Sequence, residues 1–352
     1  MLHMKKGKRA LALALSIAVL AGLAVLAFVV LPARKDAKTA ADGLVIYSPH
    51  PVEMTDYIVR EFRQRTGIKV QVITGGTGAL IAKLRDPTKS QQADLFWGGG
   101  IESLETVKDQ FQAYGSSEQK AIDVAYASAD GLWSPFSVLP VVIIYNTKLV
   151  SGNLVPKSWA SLLDPYFRDH LIMADPSTSG SGFTILVTML RTMAESGESG
   201  GEGWAYVRRL VAQFGSVGIV PGSTTVYNSV SEGEFFAGIT FENSALSLKK
   251  AGKDIDFRYP AEGTSAVPDG IALLKGAPHP AEAKRFIDFV LGRDVQSLLM
   301  TKWFRRSVRN DVPSYKPGLA ELRVIDYPIA DSAARRTQIL SRWSQEYSPA
   351  HP

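Results

Sequence analysis

The sequence predicts an α/β protein of two domains, and three observations lead there. Its 352 residues exceed what one compact α/β core usually holds. Short apolar runs alternate with amphipathic segments, the pattern of strands and their covering helices. The strand-like run from Val138 to Tyr145 is long for one sheet and reads as a crossover between domains. Apolar residues make up 45% of the chain and charged residues 21%, enough for a sizeable core and a soluble surface.

At the N-terminus, Lys5, Lys6, Lys8 and Arg9 precede an uncharged apolar run from Ala10 to Leu31. A positive flank followed by such a run is the pattern of an export signal. At about 1.5 Å per residue the run is also long enough to span a bilayer. Thr39-Ala40-Ala41 is a passable cleavage site, so both a cleaved signal and an uncleaved anchor stay open. Residues 1–41 hold seven of the 39 Lys and Arg and one of the 34 Asp and Glu. The rest therefore carries 32 basic and 33 acidic groups, a net charge of −1 against +5 for the whole chain. A nucleic-acid role has no basic footprint there. The chain has no cysteine, which excludes disulfides, thiolate metal sites and a lipid-modified N-terminal cysteine.

After this segment, Leu44–Tyr47 predicts a buried strand. A helix follows with Met54, Tyr57, Ile58 and Phe62 on one face, Pro51 at its start and Gly67 at its stop. Strands are expected at 68–73 and 94–97, with helices from Ala79 and from Ile101. Beyond the crossover, the pattern predicts a helix near Ser158–Leu163 and a strand at Leu171–Ala174. A helix over Phe183–Met193, a helix over Trp204–Phe214 and a strand at Val217–Val220 follow. Next come a helix near Val226–Ser231, a strand over Phe236–Phe241, a return strand at Gly270–Leu274 and a helix over Ala281–Leu291 closed by Gly292. The final stretch Ser332–Tyr347 carries Ile339, Leu340, Trp343 and Tyr347 at helical spacing and is expected to pack against the first domain.

One pattern recurs: a strand ends, small and hydroxyl residues turn, and a helix begins. It occurs at Ser48–Pro51, Thr74–Gly78, Gly98–Gly100, Ser177–Gly182 and Gly222–Thr225. In parallel α/β sheets such turns lie at the carboxyl edge, where ligands bind. Helix N-termini offer unpaired amides and partial positive charge to an anion, and Ser and Thr add donors. Ordinary helix capping accounts for any one of these turns. Five of them, spread over both domains, point to a shared cleft. Enzymatic signatures are lacking: there is no dinucleotide or phosphate-loop motif and no zinc-protease motif. Gly197-Glu198-Ser199-Gly200-Gly201 matches a nucleophile elbow by composition, yet a helix rather than a strand precedes it. His50 alone among the internal histidines lies at a candidate cleft turn, as a hydrogen-bonding group or a simple cap.

From Val45 to about Val324 the sequence resembles the iron-transporter-like branch of ABC-transporter periplasmic solute-binding proteins. The carrying residues are Val-Ile-Tyr-Ser-Pro-His-Pro from Val45, Ala-Asp-Leu-Phe-Trp-Gly-Gly-Gly from Ala93, Ala-Asp-Pro-Ser-Thr-Ser-Gly-Ser-Gly from Ala174 and Pro-Asp-Gly-Ile-Ala-Leu-Leu-Lys-Gly-Ala-Pro-His-Pro from Pro268. The resemblance implies the two-lobed type 2 binding-protein fold, each lobe a mixed sheet flanked by helices, with the ligand cleft between the lobes. Residues 1–41 are then the export signal or anchor and 42–138 the first part of lobe 1. Lobe 2 takes 139–262, and 263–352 form the return of lobe 1 and the C-terminal helices.

Ferric-ion binders of that branch carry adjacent tyrosines after the strand that ends here at Phe241, where this chain reads Glu242-Asn243-Ser244. Gly98-Gly99-Gly100 stands where a carboxylate ligand is expected, so iron is disfavoured. The chain looks more like relatives that bind hexose phosphates, phosphoglycerate or phosphonates. The ligand-binding expectation covers Ser48, His50, Thr74, Gly76, Thr77, Gly78, Trp97, Gly98 and Gly99 on one side. On the other it covers Ser177, Thr178, Ser179, Gly180, Ser181, Thr224, Thr225, Glu242, Asn243 and Asp269. Glu242, Asn243 and Asp269 would accept hydrogen bonds from hydroxyls or an amine, and Trp97 would pack against the carbon skeleton or fill the core. The implied role is non-enzymatic capture of a small phosphorylated organic anion by a periplasmic monomer. It needs no cofactor or metal, binds no nucleic acid, and hands its solute to an inner-membrane ABC permease. A sensing partner of a two-component receptor kinase and a ferric-iron binder are the alternatives.

Overall fold

The computed structural model describes residues 43–86, 92–194, 203–314 and 316–348. The expected export segment and the Gly197–Gly201 loop lie outside the described residues.

The first half of the described chain opens with strand β1 (Leu44–Ser48), helix α1 (Val52–Thr66), β2 (Val70–Thr74), α2 (Thr77–Arg85), β3 (Leu95–Gly100), the short α3 (Ile101–Glu105) and β4 (Phe111–Gln112). Every residue of β1 is buried, as a strand covered on both faces requires. Helix α1 turns Met54, Ile58 and Phe62 inward and stops at Gly67, whose φ of 72° suits a left-handed cap. Strands β1, β2 and β3 run parallel.

Strand β5 (Ser134–Asn146) is the long crossover. Beyond it come β6 (Leu171–Ala174), α4 (Gly180–Thr192), α5 (Trp204–Val211), β7 (Ile219–Val220), α6 (Ser223–Glu232), β8 (Ala237–Phe241), α7 (Glu242–Lys250) and β9 (Ile255–Arg258). The chain then returns through β10 (Ala266–Leu274), α8 (Pro280–Leu291), α9 (Arg293–Trp303) and β11 (Arg306–Ser307), and ends in α10 (Ile329–Ala334) and α11 (Arg336–Tyr347). The main strand order is β2-β1-β3-β10-β5-β8-β6-β7.

The architecture is two-lobed, and β5 belongs to both halves. Its residues 134–140 pair antiparallel with β10, and its residues 141–145 pair antiparallel with β8. Phe136 and Val138 accordingly join a first core with Ile46, Phe62, Trp97 and Phe286. Val141, Ile143 and Tyr145 join a second with Trp159, Phe183, Leu186 and Phe214. On the other face of the second sheet, Val142 and Ile144 pack with Ile172, Val226 and Val230. The apolar run continues without interruption because both of its faces are covered along its whole length.

Three sequence expectations change. The segment near Ser158–Leu163 is a 3₁₀ turn over Ala160–Leu163 rather than an α-helix, closed by Asp164 and followed at once by Pro165. Glu242 and Asn243 do not merely end strand β8 but begin α7. The C-terminal stripe packs against the second core, not the first. Ile339 and Trp343 enter that core, Arg342 lies 4.6 Å over the Trp204 ring, and Arg208 pairs with Glu346 through two bonds of 2.8 and 2.9 Å. Helix α5, rich in apolar residues on one side, offers α11 this complementary face.

A buried ion pair also links the halves. Arg306 of β11 donates from Nε and Nη2 to the two oxygens of Glu242 at 2.7 Å each, and Tyr259 donates to the same carboxylate. The two charged side chains are only 2% and 1% exposed. Removing one partner leaves the other charged in a low-dielectric interior. Arg306→Ala is expected to lower the unfolding free energy in urea by about 3–5 kcal/mol. A loss below about 1 kcal/mol, the range of exposed pairs, would contradict the burial of this pair.

Candidate functional site

A cavity of about 640 Å³ lies where the turns between strands and helices meet. Five helices direct their first turns at it. The lining includes Pro51–Glu53 of α1, Gly76 and Thr77 of α2, and Ser179–Ser181 of α4. It also includes Gly222–Thr224 of α6, and Phe241, Asn243 and Ser244 of α7. Each start leaves backbone amides without an intrahelical acceptor. For α2, α4 and α6 the sequence produces this geometry by placing small residues between strand and helix, so that the chain turns before a side chain blocks the approach. Gly99 has φ of 79°, and Gly98 has φ of 116° with its ideal Cβ position 2.9 Å from His50 Nε2. Neither position accommodates a side chain without strain.

The expected apposition of residues 74–78 and 177–182 is present. A Cβ on Gly180 would sit 3.0 Å from Thr77 Oγ1, and one on Gly76 would sit 3.6 Å from the Thr178 carbonyl oxygen. Ser179 caps α4 by accepting a hydrogen bond from Gly182 N at 3.2 Å, while Ser181 Oγ lies 2.8 Å from Ser179 Oγ. Trp343 braces the same loop from behind, its Nε1 donating to Asp175 Oδ1 at 3.2 Å.

Of the residues expected from sequence, His50, Gly76, Thr77, Gly99, Thr178, Ser179, Gly180, Ser181, Thr224, Asn243 and Asp269 line the cavity. The others do not. Ser48 is fully buried and donates to the Trp97 carbonyl at 2.7 Å, which fastens the turn below His50. Trp97 is core: it is fully buried and packs edge-on against His50, Phe136 and Phe286 at 5.0–5.3 Å. Glu242 is committed to Arg306 and Tyr259, so it is not the solute acceptor that its position suggests. Thr74, Ser177 and Thr225 are exposed and outside the lining, and Gly78 and Gly98 are each the chain neighbour of a lining residue.

Arg305 lines the cavity and was not anticipated. Arg305 and Arg306 follow one another in extended chain, so their side chains diverge. Arg306 reaches Glu242, whereas Arg305 donates to Asp269 Oδ2 and, at 2.9 Å, to Ser137 Oγ. Asp269 stands at a register shift of β10, between Asp269 and Gly270, that turns its carboxylate toward this cluster. Its other oxygen accepts from Ser137 N and Oγ at 2.8 and 2.7 Å. Ser223, within the expected Gly222–Thr225 turn, also lines the cavity, and Glu53, Tyr227 and Ser244 are further unforeseen lining residues. No local pattern distinguishes them from ordinary exposed helix-start residues.

His50 is 6% exposed, with Nε2 3.6 Å from Asp269 Oδ2, beyond hydrogen-bond reach. Burial holds its pKa well below the usual 6.5, and the Arg305 guanidinium adds to that effect. Asp269 does not reverse it, because Arg305 already balances that carboxylate. His50 is therefore neutral, and its Nε2 has no hydrogen-bond partner among the described residues. Fixed charge on the cavity wall reduces, among the described residues, to the Arg305–Asp269 pair and Glu53. Among the described residues, no three His, Asp or Glu side chains converge to hold a metal ion.

Residues 94–327 match the family described as bacterial extracellular solute-binding protein. A proposed 2-aminoethylphosphonate-binding periplasmic protein of Salmonella typhimurium is 26% identical over 294 residues, covering 80% of this chain and 84% of that one. The Fe(3+)-binding periplasmic protein of Serratia marcescens is 25% identical over 327 residues, covering 90% and 92%. Among solved structures, the periplasmic binding protein AfuA of Actinobacillus pleuropneumoniae, with fructose-6-phosphate bound, superposes with a TM-score of 0.79 at 25% identity. That match covers 87% of this chain and 98% of AfuA. A relative from Sinorhizobium fredii, 24% identical over 270 residues and covering 75% of this chain and 73% of that one, is named as an ABC-transporter periplasmic-binding protein. With this fold and an interlobe cavity ringed by helix starts, the chain belongs to the bacterial extracellular solute-binding protein family, whose place is the periplasm.

Proposed function

We propose that the cleft captures a small phosphorylated organic anion, a hexose phosphate, phosphoglycerate or phosphonate, for delivery to an ABC permease. One observation carries this reading: five helix N-termini converge on one cavity. Amides and helix dipoles favour an anion there without an unpaired basic side chain. The unpartnered His50 Nε2, buried at the wall, supplies one more hydrogen-bonding atom. A cavity of about 640 Å³ is far larger than a bare ion needs and suits an organic solute with some water. Glu53 and Asn243 supply acceptors for hydroxyls or an amine on its carbon part. The names of two relatives, one for a phosphonate and one with fructose-6-phosphate bound, accord with this chemistry. A ferric ion needs several anionic oxygens, and with Asp269 engaged by Arg305 the wall offers few.

A thermal-shift panel tests the reading directly. A solute at a hundredfold its dissociation constant adds about 2.7 kcal/mol to stability. The expected responders are a hexose phosphate, 3-phosphoglycerate or 2-aminoethylphosphonate. A shift with ferric iron or putrescine and none with the phosphorylated compounds would overturn the assignment. Thr77→Phe and Ser179→Phe fill the space between opposed walls and are expected to abolish the shift while circular dichroism stays native. Unaltered affinity in both variants would remove this cleft from consideration.

The neutrality of His50 has its own signature. Its pKa is depressed in the folded state, so below 6.5 only the unfolded chain takes up this proton and stability falls with pH. The slope for one proton is at most about 1.4 kcal/mol per pH unit. His50→Gln lacks this contribution, so the stability advantage of wild type over the variant should shrink by that slope from pH 6.5 toward pH 5. A constant difference across this window would mean that His50 titrates normally.

A further inference from the structure

We infer that Glu102 is a positioning residue for solute capture: its buried carboxyl clasps Gly100 of one cleft wall to Thr184 of the other. The inference rests on the cleft being the solute site. Gly100 ends β3, Thr184 lies in the second turn of α4, and both line the cavity. Glu102 lies behind them and is fully buried. Thr184 Oγ1 bonds to Glu102 Oε1 at 2.6 Å. A Cβ on Gly100 would fall 2.4 and 2.5 Å from the two carboxyl oxygens. The carboxyl thus fills the space that any side chain at residue 100 would occupy, so wall and clasp are one packed unit.

The second oxygen, Oε2, has no hydrogen-bond partner among the described residues. A half-satisfied buried carboxyl is costly by general rule, and an apolar residue of similar size would be cheaper at this point. Packing alone therefore does not account for a glutamate here. The hydrogen bond does, because it crosses from the β3–α3 segment to a helix whose Phe183, Leu186 and Leu190 belong to the second core. The C-terminal helices back the clasp. Helix α10 packs on α3. At the start of α11, Arg336 lies 4.0 Å over the Phe183 ring with Nη1 3.5 Å from Ser103 Oγ. Burial raises the pKa of Glu102, and the Thr184 bond and Arg336 oppose that rise.

The absence of cysteine makes the test clean. Exposed Gln64 on α1 and Lys250 at the end of α7 are replaced by cysteine, spin-labelled, and the interlabel distance distribution is measured with no solute added. Thr184→Val, an isosteric loss of the hydroxyl, and Glu102→Ala should both shift the distribution to longer and broader separations. Thr184→Ser and Glu102→Gln, which retain a donor and an acceptor, should restore the parent distribution. Parent-like distributions in Thr184→Val and Glu102→Ala would overturn the inference, as would failure of both conservative variants to restore. If Glu102→Ala does not fold, the Thr184 pair decides. Because no solute takes part, a cleft that binds some other ligand leaves this result untouched, and the solute panel, run on the parent protein, is read without reference to the clasp variants.

Discussion

The molecule depends on one constraint, the sharing of strand β5 between two sheets. Thirteen residues supply backbone partners first to β10 and then to β8, and their side chains divide between two cores. A strand in that position cannot slip in register, since a slip of one residue would turn every inward side chain outward on both sides at once. The junction falls at Pro140–Val141, and Leu139 just before it lines the cavity. The cleft is thus where two sheets part company along a common strand. The turns that follow their strands face each other because both sheets are anchored to it.

The chemistry of the cavity follows from this arrangement. Helices that start at the carboxyl ends of strands present amides rather than side chains, and the two sheets contribute such starts from opposite sides. Among the described residues of the wall, the one arginine, Arg305, is matched by Asp269, and the one histidine, His50, is kept uncharged by burial. In the proposed role, selectivity would rest on directed hydrogen bonds more than on net charge. An anion held mainly by backbone amides would lose little to screening, because such short-range contacts in a desolvated pocket are poorly reached by salt.

Much of the fold could be read from the chain because its signals are local. Leu44–Tyr47, Leu171–Ala174 and the Pro51-to-Gly67 helix declare themselves through apolar period, proline and glycine, and they lie within a residue or two of the expected bounds. The same holds for Thr77, Ser179 and Thr224, which cap or open helices and so reach the cavity as a consequence of the turn itself. Glu242 and Trp97 misled because side-chain direction is set by distant partners: Arg306 is 64 residues from Glu242, and Phe286 closes over Trp97 from α8. Arg305 escaped notice for the same reason, since nothing near it names Asp269, 36 residues earlier. The C-terminal stripe showed that it would be buried but not where, because an amphipathic helix carries no address for the surface that covers it.

The two adjacent arginines show how the fold separates a buried fastening from a charge at the cavity wall. Both emerge from the same extended stretch after α9, and both meet a carboxylate from a different element. Arg306 meets Glu242 with nearly complete exclusion of water and ties β11 to the start of α7. That burial makes the pair strong as a fastening and useless as a receptor, since any solute would have to break it. Arg305 meets Asp269 at the cavity wall, where Ser137 bonds to both and holds them in place. In the proposed role, an anion arriving there would meet a cation whose orientation is already set and whose charge is already balanced. It would gain geometry more than Coulomb energy, and that would favour discrimination among anionic solutes over tight binding of any anion.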